Sequence, residues 1–234
     1  MLVPSMLELT QISQTQYTPP MATARPTFTF VGERLWLDFV NSEVSARSSD
    51  ALYDFESLVL WLEAAAILDN ERSGGIRRRA TQQPAGAAAS LIDARRVRAS
   101  LRSLAERGQV SERIRMEALS EINRVLGRSA GTRRLDLKTD GTFGRSFVPV
   151  GDAFAGLVIP VVESAADALI AGELARVRRC ADARCMRVFY DTTKNGRRRW
   201  CDMSTCGNRA KAARHREKVR ISDLPVTEAP RLRT

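Results

Sequence analysis

Apolar positions recur with a helical period over most of the chain from Phe28 to about Val177, and the elements can be read from their spacing. Phe28, Phe30, Leu35, Trp36, Leu37, Phe39 and Val40 form an apolar opening, read as a short strand turning into a helix with Gly32 as the break. Asp54 can cap a helix that places Phe55, Leu58, Val59, Leu62 and Ile67 on one face and ends before Gly74-Gly75. The stretch Arg72 to Gly86 carries Arg77-Arg78-Arg79 and Pro84 and reads as a loop. A second helix uses Leu91, Ala94, Val97, Leu101 and Leu104 and stops near Gly108. A third, capped by Ser111, uses Ile114, Ala118, Ile122 and Val125 before Gly127.

The period then changes from 3.6 to 2. Arg134 to Lys138 and Thr142 to Phe147 alternate around Asp140-Gly141, which predicts a hairpin. Beyond it, Asp152 can cap a long helix through Leu157, Val161, Val162, Ala165 and Leu169 toward Val177, with Pro160 kinking it or marking its real start. The first 26 residues, with Pro4, Pro19, Pro20 and Pro26 among Ser, Thr and Gln, offer little to fold around. A disordered tail is expected there, with Met21 an alternative start, and residues 221–234 read as a second tail. No apolar stretch approaches the ~20 residues that span a bilayer.

The cysteines change this picture. The four in the chain, Cys180, Cys185, Cys201 and Cys206, form two C-x4-C pairs separated by fifteen residues. Paired cysteines at such spacing suit one structural zinc, because one tight turn supplies two thiolates and four complete a tetrahedral shell. The competing account is a disulfide framework, which belongs to small secreted chains; nothing here resembles a signal peptide, so the cytoplasm is the expected compartment. Around the cysteines the layout reads as a knuckle at Cys180 to Cys185, a strand at Met186 to Asp191, a turn at Lys194-Asn195-Gly196 and a return through Arg197 to Trp200. A helix rich in alanine and arginine follows Cys206. Knuckle, hairpin and helix with ligands in pairs is treble-clef geometry. The fold class expected is therefore a mainly α N-terminal domain with a small β-hairpin (α+β), followed by a small treble-clef-like zinc finger with four cysteine ligands. The preceding helix is expected to run straight into Cys180 as a stiff extension, and residues 28 to about 172 to fold alone.

Charge supplies the candidate partner. Arg176 to Arg220 holds fifteen Lys or Arg and four Asp or Glu, net +11, so the remainder is net −1 and the whole-chain +10 belongs to this segment. Such concentration around a metal site calls for a polyanion or an acidic surface. DNA leads, with RNA or an acidic protein as alternatives. The candidate nucleic-acid contacts are Arg197, Arg198 and Arg199 on the hairpin and Arg209, Lys211, Arg214, Arg216 and Lys218 on the helix. Asn208 reads more as a brace of the knuckle than as a phosphate contact, Arg209 equally as either, and Phe189 and Trp200 more as the finger's small core. Upstream, Asp38 and Asn41 interrupt an apolar run; they suit a capping or turn role or the lining of a small-molecule pocket for an unknown effector. The upstream domain has no Gly-rich phosphate loop, no histidine and no carboxylates paired at useful helical spacing, so no enzyme is expected.

The segment Cys180 to Lys218, with Phe189-Tyr190-Asp191, Gly196-Arg197-Arg198-Arg199-Trp200-Cys201 and Cys206-Gly207-Asn208-Arg209-Ala210-Lys211, resembles the CGNR zinc finger. Upstream, Leu37-Asp38-Phe39-Val40-Asn41 and Leu58-Val59-Leu60-Trp61-Leu62 resemble the opening of the ABATE domain, which precedes that finger in bacterial proteins. The resemblance covers roughly residues 28 to 220, divided as 27–174 for the helical domain and 175–220 for the finger. It implies a proposed role in stress-induced transcription regulation, with a finger presumed to bind DNA. Tyr190 stands where the family pattern has leucine.

Overall fold

In a computed structural model the described residues are 27–43, 50–106, 111–128, 131–137, 143–150 and 154–222. They are mainly helical, with two small antiparallel hairpins. The expected tail 1–26, the turn at Asp140-Gly141 and the cap at Asp152 lie outside them, as does the rest of the second tail beyond Ser222.

Helix α1 (Leu35–Val40) is only six residues long but buries Trp36, Leu37, Phe39 and Val40. Helix α2 (Phe55–Ala64) opens on a reciprocal cap: the Ser57 amide donates to Asp54 Oδ1 at 2.7 Å and the Asp54 amide to Ser57 Oγ at 3.0 Å. It ends sooner than its apolar face suggests, at Ala64, two residues before Ala66, whose φ of 56° no right-handed helix continues.

The stretch Arg72 to Gly86, expected as a loop, is helical. Asp69 caps α3 (Asn70–Gln82), accepting from the Arg72 amide at 2.8 Å, and the helix runs through Gly74-Gly75. Two glycines cost about 1 kcal/mol each against alanine. Tertiary contacts offset this: Ser73 and Ile76 are buried, and Arg77 forks between Glu56 and Glu63 of α2 at 2.7–3.1 Å. Pro84 does not sit in a loop either but opens α4 (Pro84–Ala105), where the missing amide hydrogen is not needed. Helix α5 (Glu112–Arg128) lies on α4, with Glu121 taken by Arg96 and Arg124.

The expected hairpin is formed by β1 (Gly131–Leu137) and β2 (Phe143–Pro149), antiparallel with Arg134 opposite Ser146. Phe147 turns into the core, and its ring lies so close to Gly131 that a Cβ there would approach within 2.3 Å. Helix α6 (Ile159–Ile170) begins with Pro160 in its first turn, so the proline marks the start and does not kink a longer helix.

The stiff extension into the cysteines is absent. Helix α6 stops at Ile170, Gly172 turns left-handed at φ 67°, and a short 3₁₀ turn (Glu173–Arg176) leads into β3 (Val177–Arg179). Strand β4 (Val188–Tyr190) pairs with β3, Arg178 opposite Phe189, and not with the segment Arg197 to Trp200, which is not a strand.

The second edge of β4 explains how finger and body meet. Val188 exchanges two bonds with the side chain of Asn41, its amide donating to Oδ1 at 2.9 Å and its carbonyl accepting from Nδ2 at 2.8 Å. The Tyr190 amide donates to the Gly32 carbonyl at 2.9 Å. Val177 and Val188 are fully buried members of the large core that holds Trp36, Phe39 and Trp61. Arg102 of α4 donates to the Met186 carbonyl at 2.9 Å, and Arg34 covers the Tyr190 ring at 4.0 Å. The strand that carries the finger is thus built into the body as well as into the finger.

Candidate metal centre and nucleic-acid interface

The four cysteine sulfurs converge within 4.8 Å of one another, and all four residues are buried. None forms a disulfide. Cys201 Sγ lies 3.7 Å from Cys185 Sγ and 3.7 Å from Cys206 Sγ. A tetrahedral zinc with bonds of ~2.3 Å requires thiolates ~3.8 Å apart, so the spacing fits the ion. The thiols also disturb one another's ionisation. The contact with Cys201 holds Cys185 down at about 5, while the same contact and burial push Cys201 up. Four thiols this close cannot all ionise without a cation among them, and one zinc supplies that charge.

The surrounding residues brace the ligands. Cys180 and Cys185 sit in a knuckle closed by the Cys185 amide on the Asp182 carbonyl at 2.8 Å. Phe189 is fully buried against the cluster, and Trp200 covers it partly. Cys206 lies in one wide π turn (Met203–Gly207), whose entrance Asp202 caps by accepting from the Ser204 amide at 2.7 Å. The Met203 side chain lies over Gly207, where a Cβ would meet its Sδ at 2.7 Å and have to displace it. Asn208 braces the same turn through the Ser204 carbonyl at 3.0 Å. Helix α7 (Asn208–Ser222) starts there.

The predicted basic contacts separate into two groups. Arg198 is inward: it donates to the carbonyls of Trp200 and Cys201, pairs with Glu33 at 2.8 Å and covers the Phe189 ring at 4.7 Å. Arg209 grips Cys206 Sγ at 2.9 Å and Asp182 at 2.9 Å. Both hold the finger together. Arg197, Arg199, Lys211, Arg214, Arg216 and Lys218 are exposed, and among the described residues none of them has an ion pair. Every residue from Lys211 to Arg220 is exposed.

Sequence reading did not single out Asp191 or Glu33. Asp191 is fully buried and receives the amides of Thr193 at 3.0 Å and Arg198 at 2.9 Å, fixing the turn between β4 and the arginines. An Asp two residues before Thr is a recognisable Asx-turn signal. Glu33 has no such signal; it stands at φ 62° and matters through a partner 165 residues away.

Asp38 of α1 and Asn41, the residue that caps its C-terminus, lie one turn apart, and both serve the seam. Asp38 Oδ1 accepts from Val31 at 2.9 Å and Gly32 at 2.7 Å, shaping the turn whose Gly32 carbonyl receives Tyr190. Both residues also line a cavity of about 110 Å³ between the body and Met186-Arg187 of the finger. Burial raises the Asp38 carboxyl to about 6, outweighing the two amide bonds, with Glu33 adding to the rise; Glu43, Arg102 and Arg187 are the other charged groups lining the cavity. A raised pKa means that the folded state holds this proton more tightly than the unfolded chain. The group's favourable contribution to folding is complete below about 4 and is lost as pH climbs through about 6. Asp38→Asn keeps the acceptor oxygen and removes the charge, so its stability relative to wild type should rise between pH 5 and 7. Urea unfolding of both zinc-loaded proteins at the two pH values measures this; a difference that stays constant refutes it.

A buried four-cysteine centre with an exposed basic helix beyond its last ligand defines a structural-zinc finger protein. Residues 176–219 match the CGNR zinc finger, and residues 33–173 match the ABATE family, described as a "putative stress-induced transcription regulator". The ABATE match spans more than half of the chain, and the protein belongs to that family. A search of the curated proteins finds no match. Among the described residues no helix is long and apolar enough to cross a membrane.

Proposed function

We propose that this protein is a zinc-dependent, duplex-DNA-binding transcription regulator of the bacterial cytoplasm, whose helical body senses a small effector or a partner. The observation that carries the reading is the exposed set Arg197, Arg199, Lys211, Arg214, Arg216 and Lys218, unpaired among the described residues and gathered on one rigid metal-braced unit. Surface cations are ordinarily interleaved with carboxylates; from Lys211 to Arg220 this helix has only Glu217. Helix α7 spans ~22 Å, and Ala212 and Ala213 let its backbone approach a groove closely. Lys211, Arg214, His215 and Lys218 fall on one side of it, at the spacing of a groove-facing stripe. The same chemistry argues for binding and against catalysis, since four thiolates leave zinc no open position for water.

Fluorescence anisotropy with duplex DNA across a salt series tests this. With about three to five phosphates neutralised, the logarithm of affinity should fall with that of salt at a slope of roughly −3 to −5. Replacing Arg197 and Arg199 by alanine should weaken binding to all sequences and flatten the slope by about 2, whereas Lys211→Ala or Arg214→Ala should change sequence preference. Arg198→Ala and Arg209→Ala should act through finger stability instead. Structured RNA outcompeting duplex DNA at physiological salt would replace this reading with an RNA-binding adaptor, and binding to neither would point to an acidic protein.

A further inference from the structure

The cavity of about 110 Å³ beside α1 is small and lined by both polar and aromatic side chains. Asp38, Asn41 and Arg102 line it together with Trp61, Met186 and Arg187. Two of its polar side chains are committed to the protein. Asn41 spends both amide atoms on Val188. Arg102 directs one bond from each of its three nitrogens to Glu43 and the carbonyls of Met186 and Val40. Asp38 differs: Oδ1 takes two amides, but Oδ2 has no hydrogen-bond or ion-pair partner among the described residues. That oxygen keeps access to solvent and is free to take a ligand in place of water.

We infer that this cavity is a binding site for a small organic ammonium ion, held by Asp38 Oδ2 and by the aromatic wall of Trp61 and Phe28. A positive charge answers the open carboxylate, and methyl or methylene groups on nitrogen suit an aromatic face. At ~30 Å³ per water the chamber holds about three or four waters, equivalent to an ion of roughly four to six heavy atoms. Met186 and Arg187 of the finger line the cavity, the Met186 carbonyl held by Arg102, so an occupant lies beside the segment that leads into β4. The site deepens the effector-sensing part of the function proposed above and takes its regulatory meaning from that reading; occupancy itself needs no DNA.

The test uses the zinc-loaded full chain without DNA, so that its failure is separate from failure of DNA binding. Trimethylammonium and diethylammonium chloride are titrated by calorimetry and by ligand-observed saturation-transfer NMR, against sodium chloride of equal ionic strength and sodium acetate. Both amines should bind the wild type, and Asp38→Asn should weaken them about tenfold or more, the loss of one charge-assisted bond. Ala51→Leu, which fills the cavity from another wall, should do the same. No amine signal with wild type, equal binding by Asp38→Asn, or binding of acetate in place of the amines would overturn the inference.

Discussion

Removing the metal is expected to unfold residues 180–207 and to weaken the helical body with them. Wild type should carry one zinc per chain, and a chelator, or serine at any one of Cys180, Cys185, Cys201 and Cys206, should abolish finger structure. The physical reason is that little besides zinc orders this segment: its own buried cluster is the four cysteines and Phe189, with Val31 and Trp200 only partly buried on it. Structural zinc typically contributes about 10–16 kcal/mol in apparent binding free energy, comparable to the whole stability of a domain. Loss of the centre also releases Arg209 from Cys206 and Arg198 from the Cys201 carbonyl, and with Arg198 the pair to Glu33. The melting temperature of the body should therefore drop on chelation. Metal analysis and thermal unfolding followed by circular dichroism, with and without chelator, decide the matter; zinc well below one per chain, or melting unchanged by the chelator, contradicts it.

A chain ending at Gly172 should fail to fold cooperatively, although its family match ends only one residue later. Truncation removes Val177 and Val188 from the core, about 1.5–3 kcal/mol each for a buried valine. It also leaves the Asn41 amide and the Gly32 carbonyl without the partners that β4 supplies, and opens the ring contact beneath Arg34. Summed, these losses reach the size of a domain's net stability. Asn41→Ala isolates one part in the full chain: it strips both bonds from buried Val188 and should cost about 2–4 kcal/mol. Denaturant unfolding of the two proteins measures both effects. A soluble truncated chain with a single sharp transition near that of wild type would show that the body stands alone and that the seam is only a docking contact.

Much of this architecture is legible in the order of residues. The four cysteines announce the metal centre because their spacing is a local property, and Asp54, Ser111 and Pro160 mark helix starts because capping and proline chemistry act within a turn. The hairpin is equally local: a change of period around Asp140-Gly141 suffices. Concentration of charge beyond Arg176 needs no structure to be seen.

What the tertiary structure alone decided depends on partners distant in sequence. Helix α3 reads as a loop because Gly74-Gly75 weaken it locally; Arg77 finds Glu56 and Glu63 only once α2 is beside it. Arg197, Arg198 and Arg199 are equivalent in sequence, yet the middle one turns inward onto Phe189 and Glu33 while its neighbours stay exposed. Asp38 and Asn41 look like a pair of polar residues in an apolar run, and nothing local says that Asn41 completes a strand 147 residues away. The ligands of the metal follow from neighbours along the chain. The union of finger and body, the sorting of bracing from exposed arginines and the open oxygen of Asp38 follow from neighbours in space.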